Sequence, residues 1–144
     1  MEKNKHTSLP ENYEVCLHYD CSLASTCLHQ IAYKKLISTQ RTLRILNPTM
    51  CNKDKNCDFY RDSSPVIYAR GFKTFQNKMY PDQYRTFMSL LINVFGRNPY
   101  FERRRGVTPL SPREQEIVLS ALKKAGVTED IKFESYEENI NWRD

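Results

Sequence analysis

The chain has 144 residues, 40% of them apolar and 12% aromatic, with nine Tyr and seven Phe. This is the composition of one globular domain of ordinary size, and it excludes a disordered chain, which would lack the aromatic groups a core needs. The net charge of +5 is modest beside that of dedicated nucleic-acid binders.

No apolar run approaches the roughly 20 residues that cross a bilayer, so no membrane partner is expected. The opening MEKNKHTSLPENYE has charge but no apolar stretch of the signal-peptide kind, which points to the cytoplasm. Charge is unevenly placed. Residues 1–110 hold 17 Lys/Arg against nine Asp/Glu, whereas residues 111–144 hold five against eight. A basic body with an acidic tail suits either a polyanion or self-shielding.

In chain order, residues 1–14 read as a polar leader. Asp20 is placed to cap a helix through CSLASTCLHQIAYKKLIS, with Leu23, Cys27, Ile31 and Leu36 at helical spacing and Lys34 and Lys35 near its end. RTLRIL (41–46) alternates like a short strand that Asn47-Pro48 ends. Residues 49–64 form a polar loop. Ser64-Pro65 offers a helix start, and Val66, Ala69, Phe72, Phe75 and Met79 fit a helix, although Gly71 and the β-rich opening also allow a strand. PDQYRTFMSLLINVFG is the clearest helix, with Gly96 as its stop. RNPYFERRRGVTPL reads as an extended arm or hairpin around Gly106. SPREQEIVLSALKKAG is a helix with Ser111 as N-cap, Pro112 in the first turn, Glu114 completing a capping box and Gly126 as terminator. The acidic tail 127–144 keeps Phe133, Tyr136, Ile140 and Trp142, which suggests that it docks on the body. The expected fold is a small, mostly helical α+β single domain spanning 1–144, with a short strand or hairpin element and a cysteine-rich N-terminal half.

All five cysteines, Cys16, Cys21, Cys27, Cys51 and Cys57, lie in the first 57 residues. An odd count and the absence of a secretory signal disfavour disulfides. Four thiolates suit a tetrahedral zinc ion. Cys16, Cys21 and Cys27 lie before and along the first helix, and the loop carrying Cys57 could fold back towards them, so these four form a plausible metal site. Cys51 is either a spare or the true fourth ligand, and His18 or His29 would make a site of three cysteines and one histidine. An iron–sulfur cluster uses the same ligand chemistry. Ordinary buried thiols are the competing reading.

Arg97 and the run Arg103, Arg104, Arg105, beside Tyr100 and Phe101, could grip phosphate while the rings stack on bases. A solvated arm paired with the acidic tail is the plainer reading. There is no Ser/His/Asp arrangement, and four glycines provide no phosphate loop. A cysteine nucleophile activated by His18 or His29 stays open.

Several short motifs occur together in order: C-x4-C-x5-C-L at 16–28, C-D-F-Y at 57–60, A-R-G-F at 69–72, G-R-N-P-Y-F at 96–101, R-R-G at 104–106, L-S-P-R-E-Q at 110–115 and Y-E-E-N before Trp142. Over residues 13–142 the chain resembles a family of small bacterial proteins classed as a domain of unknown function. The resemblance implies that Cys16, Cys21, Cys27 and Cys57 act together and that Cys51 is peculiar to this chain, and it implies no activity. The expected function is therefore a cytoplasmic, non-enzymatic binding or regulatory module with a structural zinc site. Nucleic-acid binding and a redox or iron–sulfur role are the alternatives; its partner, whether nucleic acid or another protein, is not specified.

Overall fold

The structure, a computed structural model, describes residues 8–54 and 56–143. The first half of the expected leader, residues 1–7, lies outside the described residues. The chain divides into two compact units. One runs to Pro65 and takes in Ile140–Arg143, and the other is Val66–Asn139.

In the first unit the helix begins later than the apolar spacing predicts. Helix α1 spans Leu28–Leu36, and its N-cap is Cys27 rather than Asp20. Residues 21–26 form successive turns, with Ala24 N–H donating to the Cys21 carbonyl at 3.1 Å and Cys27 N–H to the Leu23 carbonyl at 2.9 Å. Two hydroxyl groups compete here with helical pairing: Ser22 Oγ donates to the Lys53 carbonyl and Thr26 Oγ1 to that of Leu23. Asp20 is instead engaged by Lys53 Nζ at 2.7 Å. Leu28, Ala32 and Leu36, four residues apart, are buried with Tyr13, Val15 and Trp142. Tyr13 stacks on His29 with ring centroids 4.9 Å apart and meets Trp142 edge-on at 5.3 Å. The end of the expected leader is thus core. The strand expected over 41–46 is reduced to one parallel bridge, Val15 with Ile45. Arg61 holds the returning chain, its Nε donating to the Asn141 carbonyl at 2.9 Å and its Nη2 to Asn141 Oδ1 at 3.0 Å.

The second unit opens with strand β1 (Val66–Arg70), not the expected helix. Val66, Ile67 and Tyr68 favour a pleated surface, and Gly71, at φ +79°, turns the chain out of the strand into a 3-10 turn at Lys73–Lys78. Helix α2 (Pro81–Phe95) starts with Pro81 in its first turn, and Gln83 Oε1 accepts from the Tyr80 N–H at 2.9 Å. Gly96 ends it as expected. The following segment is not an extended arm but helix α3 (Arg97–Arg104): its Pro99 falls in the first turn, where no intrahelical donor is lost, and the fully buried Tyr100 anchors it. Helix α4 (Pro112–Lys124) matches the reading closely, with Ser111 Oγ accepting from Glu114 N–H at 3.2 Å.

The acidic tail contributes strand β2 (Ser135–Asn139), which pairs antiparallel with β1, Ala69 opposite Tyr136. Ahead of it, Phe133 packs 5.2 Å from Phe75, while Phe72 touches Phe75, Phe87 and Tyr100 at 5.7, 6.0 and 5.9 Å. Aromatic rings at these offsets add attraction beyond the area they bury. Four α-helices and one two-stranded antiparallel sheet among the described residues make the fold α+β. No helix among the described residues is long and apolar enough to cross a membrane.

At Gly71 a Cβ would run into the Glu134 carboxylate, and its backbone lies in the left-handed region. Gly71→Ala is expected to lower unfolding stability by at least about 1–2 kcal/mol, read by chemical denaturation. Trp142 is 6% exposed among Tyr13, Leu28 and Ala32. Trp142→Ala is expected to cost about 3–5 kcal/mol in the same measurement, the loss typical of a buried ring.

Candidate metal centre

Backbone pairing brings the cysteine segments together. Cys16 N–H donates to the His29 carbonyl at 3.1 Å, and Gln30 Nε2 donates to the Cys16 carbonyl at 2.6 Å. These bonds fix the first cysteine against the start of α1. Leu28 N–H donates to the Arg61 carbonyl at 2.8 Å and Ser63 N–H to that of Thr26 at 2.9 Å, and Cys27 forms a bridge with Asp62. Ser22 N–H reaches the Lys53 carbonyl at 3.1 Å. The 51–63 loop is therefore folded back over the 21–28 turns, and an Asx turn in which Asn56 N–H donates to Asp54 Oδ1 at 2.9 Å leads into Cys57.

All five cysteines line one small cavity of about 20 Å³. That volume admits a single atom of water size. None of the five is in a disulfide; Cys51 is buried and the other four are partly exposed. Two sulfurs accept backbone N–H groups two residues on, Cys16 from His18 at 3.5 Å and Cys21 from Leu23 at 3.4 Å. Such bonds favour the thiolate over the thiol. Burial pushes the Cys16 thiol up, the His18 N–H opposes this, and negative charge on Cys27, Cys21 and Cys57 adds to the rise. The Cys51 thiol is pushed up to about 11, chiefly by burial, then by Cys16 and Cys57 and by a hydrogen bond with Cys16. Cys16 and Cys51 thus sense the charge of the neighbouring sulfurs. Among the described residues, no group of three or more His, Cys, Asp or Glu side chains is closed up in an arrangement that holds a metal ion.

Two further groups border the cavity. His18 Nδ1 is buried without a partner, and so is Oε1 of Gln30, a residue only 2% exposed. His29 is differently placed: its Nδ1 is 2.6 Å from the Glu14 carbonyl and its ring stacks on Tyr13. Of the two histidines considered as ligands, His18 has a buried, unpartnered Nδ1, and His29 has its Nδ1 taken by the Glu14 carbonyl. Gln30 carried no signal in the sequence, where it is one polar residue beside an apolar helical stripe. Cys51, read as a spare, stands within the cluster.

The arginines lie on and after α3. Arg103 is mostly buried: its Nε donates to Glu114 Oε2 at 2.7 Å, Nη1 donates to the Pro99 carbonyl at 3.2 Å, and its guanidinium lies 4.6 Å from the Phe95 ring centre. Arg104 donates from Nη2 to Gln76 Oε1 at 2.9 Å. Arg97, 6.0 Å from the Phe101 ring centre, and Arg105 are exposed. Two of the four are thus engaged within their own unit.

A family model matches nearly the whole chain. The chain belongs to a family of unknown function (DUF6078), whose model covers residues 1–142. No curated protein and no solved structure matches it. Members of this family are thus related over the cysteine-bearing unit and the helical unit alike, and the family assigns a chemistry to neither.

Removing one partner of a buried ion pair leaves the other uncompensated. Arg103→Ala is expected to destabilise the protein by about 3 kcal/mol, whereas Arg105→Ala should stay within about 0.5 kcal/mol of the parent. Equal effects in thermal unfolding would contradict this division of roles.

Proposed function

We propose that the protein is a non-enzymatic binding or regulatory module whose cysteine-bearing unit is held by one structural zinc ion on Cys16, Cys21, Cys27 and Cys57. The observation that carries this reading is the convergence of five cysteines, drawn from segments 41 positions apart, on one cavity with room for a single atom. The two N–H bonds to Cys16 and Cys21 support it, because they suit anionic sulfur. So does the raised Cys16 thiol, held up by burial and by the neighbouring sulfurs, which a divalent cation would reverse. Zinc would draw in thiolates that now stand around the cavity and satisfy four charges at once. A closed four-thiolate zinc site leaves no position for substrate, so its role is to hold the loops.

Those loops present groups that suit a macromolecular partner. Tyr19, between two proposed ligands, is 81% exposed, and Met50, beside Cys51, is 65% exposed. Aromatic and Met side chains are favoured at protein interfaces. Free thiols ligating a metal would be maintained in a reducing compartment such as the cytoplasm.

Native mass spectrometry with elemental analysis tests the reading. One zinc per chain is expected, with a colourless sample. Chelation should lower the melting temperature, since a ligand bound only by the folded state at about 100 times its Kd contributes roughly 2.7 kcal/mol. Full stability in a metal-free chain with five free thiols would overturn the zinc assignment, and a brown anaerobic sample would replace it with an iron–sulfur cluster.

A further inference from the structure

Strand β1 is bonded along both of its edges, whereas β2 is bonded along one. On the side of β1 away from β2, Ala69 N–H donates to the Leu110 carbonyl at 3.0 Å and the Ala69 carbonyl accepts from Leu110 N–H at 2.7 Å. On the same side, Gln115 Nε2 donates to the Ile67 carbonyl at 2.9 Å. Ala69 and Ile67 thus turn their backbone groups away from β2. In an antiparallel ladder the residues opposite such positions turn theirs outward as well. Those residues are Tyr136 and Glu138, so the N–H and C=O of both point off the open side of the sheet. Among the described residues, no backbone group pairs with either of them there. Both residues are exposed, Tyr136 by 51%. A row of unpaired strand groups is a template for another extended chain.

The charge beside this edge selects the chain it takes. Residues 127–139 carry five Asp/Glu against one Lys. Glu137 is paired with Arg70 at 2.9 Å and Glu129 with Lys78 at 3.8 Å. Glu134 and Glu138 have no ion pair among the described residues. A second copy of β2, paired through the same outward groups, would set Glu137 opposite Glu137, and like charges directly opposite oppose pairing. We infer that the outer edge of β2 is a docking site for an extended basic peptide, which adds to the sheet as a third strand and bonds to the backbone of Tyr136 and Glu138. The main-chain bonds supply affinity, as in other cases of strand addition. Glu134 and Glu138 select Lys or Arg in the partner, and the exposed Tyr136 ring offers a face for a cation. This site lies on the helical unit and does not depend on the zinc reading.

The test titrates the full chain with a fluorescent Lys-Val-Lys-Val-Lys-Val peptide at low salt. Its controls are the counterpart with Glu in place of Lys, and the Lys peptide N-methylated throughout, which keeps its charge and loses its main-chain donors. The unmodified Lys peptide is expected to bind and to slow amide exchange at Tyr136 and Glu138. Exchange at Glu137, whose N–H already faces β1, should not change. Proline is tolerated on an edge strand where its missing N–H would face solvent. Glu138→Pro is therefore expected to keep the β1–β2 pairing and to bind the peptide at least about tenfold more weakly. Glu138→Gln should weaken binding less, with the difference fading as salt is added. The inference is overturned if the acidic or the N-methylated peptide binds as tightly as the Lys peptide, if the protected amides lie elsewhere, or if nothing binds at millimolar peptide. Should Glu138→Pro unfold the chain, the N-methylated peptide and the exchange pattern still decide. A dimer of the chain alone that Glu138→Pro disperses would also overturn it, by assigning the edge to a second copy.

Discussion

The backbone bonds that fold the 51–63 loop over the start of α1 are the constraint on which the cysteine-bearing unit depends. Leu28 N–H to the Arg61 carbonyl and Ser63 N–H to the Thr26 carbonyl carry Cys57 across 30 residues of chain to Cys27. The His29 carbonyl and the Gln30 side chain do the same for Cys16. These are ordinary hydrogen bonds of modest net strength. Their effect on chemistry is large, because they turn sulfurs distant in sequence into neighbours around one atom-sized space. A metal ion placed there would close the loops that the bonds already align, which is why metal binding and folding are coupled in such sites.

The same unit depends on residues from the far end of the chain. Tyr13, at the N-terminal side, packs against Trp142, and Arg61 grips Asn141 through both backbone and side chain. The loop that carries Cys57 and the last residues of the chain thus share an anchor. In the helical unit, Arg103 shows how a residue that looks like a phosphate ligand can be structural. A guanidinium between the Glu114 carboxylate and the Phe95 ring uses its charge and its flat face internally.

Much of the fold was legible where local rules act alone. The Ser111-Pro112-Arg113-Glu114 opening and the Gly126 stop define α4, and Pro81 and Gly96 bound α2, because caps and left-handed glycines operate within a few residues. Local rules failed where a distant partner decides. Val66–Arg70 is a strand because Ser135–Asn139 pairs with it, and nothing near Val66 announces that partner. Residues 97–104 are helical because Tyr100 is drawn into a core of Phe72 and Phe87. The stretch after Asp20 has helical spacing, yet its hydroxyl groups and the Lys53 contact hold it in turns.

The sequence by itself determined which residue types are available for chemistry: five thiols in one half, capped helices in the other half, and membership of one family along nearly the whole length. It also marked the ends of α2 and α4, since these follow from φ preferences and short-range hydrogen bonds. Only the tertiary structure decided that Cys51 stands with the other four, that the Nδ1 of His29 is taken by the Glu14 carbonyl while that of His18 is buried without a partner, and that Arg103 is enclosed. Those three facts depend on contacts between residues tens of positions apart, made by backbone pairing and burial, and spacing along a chain does not encode which distant groups meet.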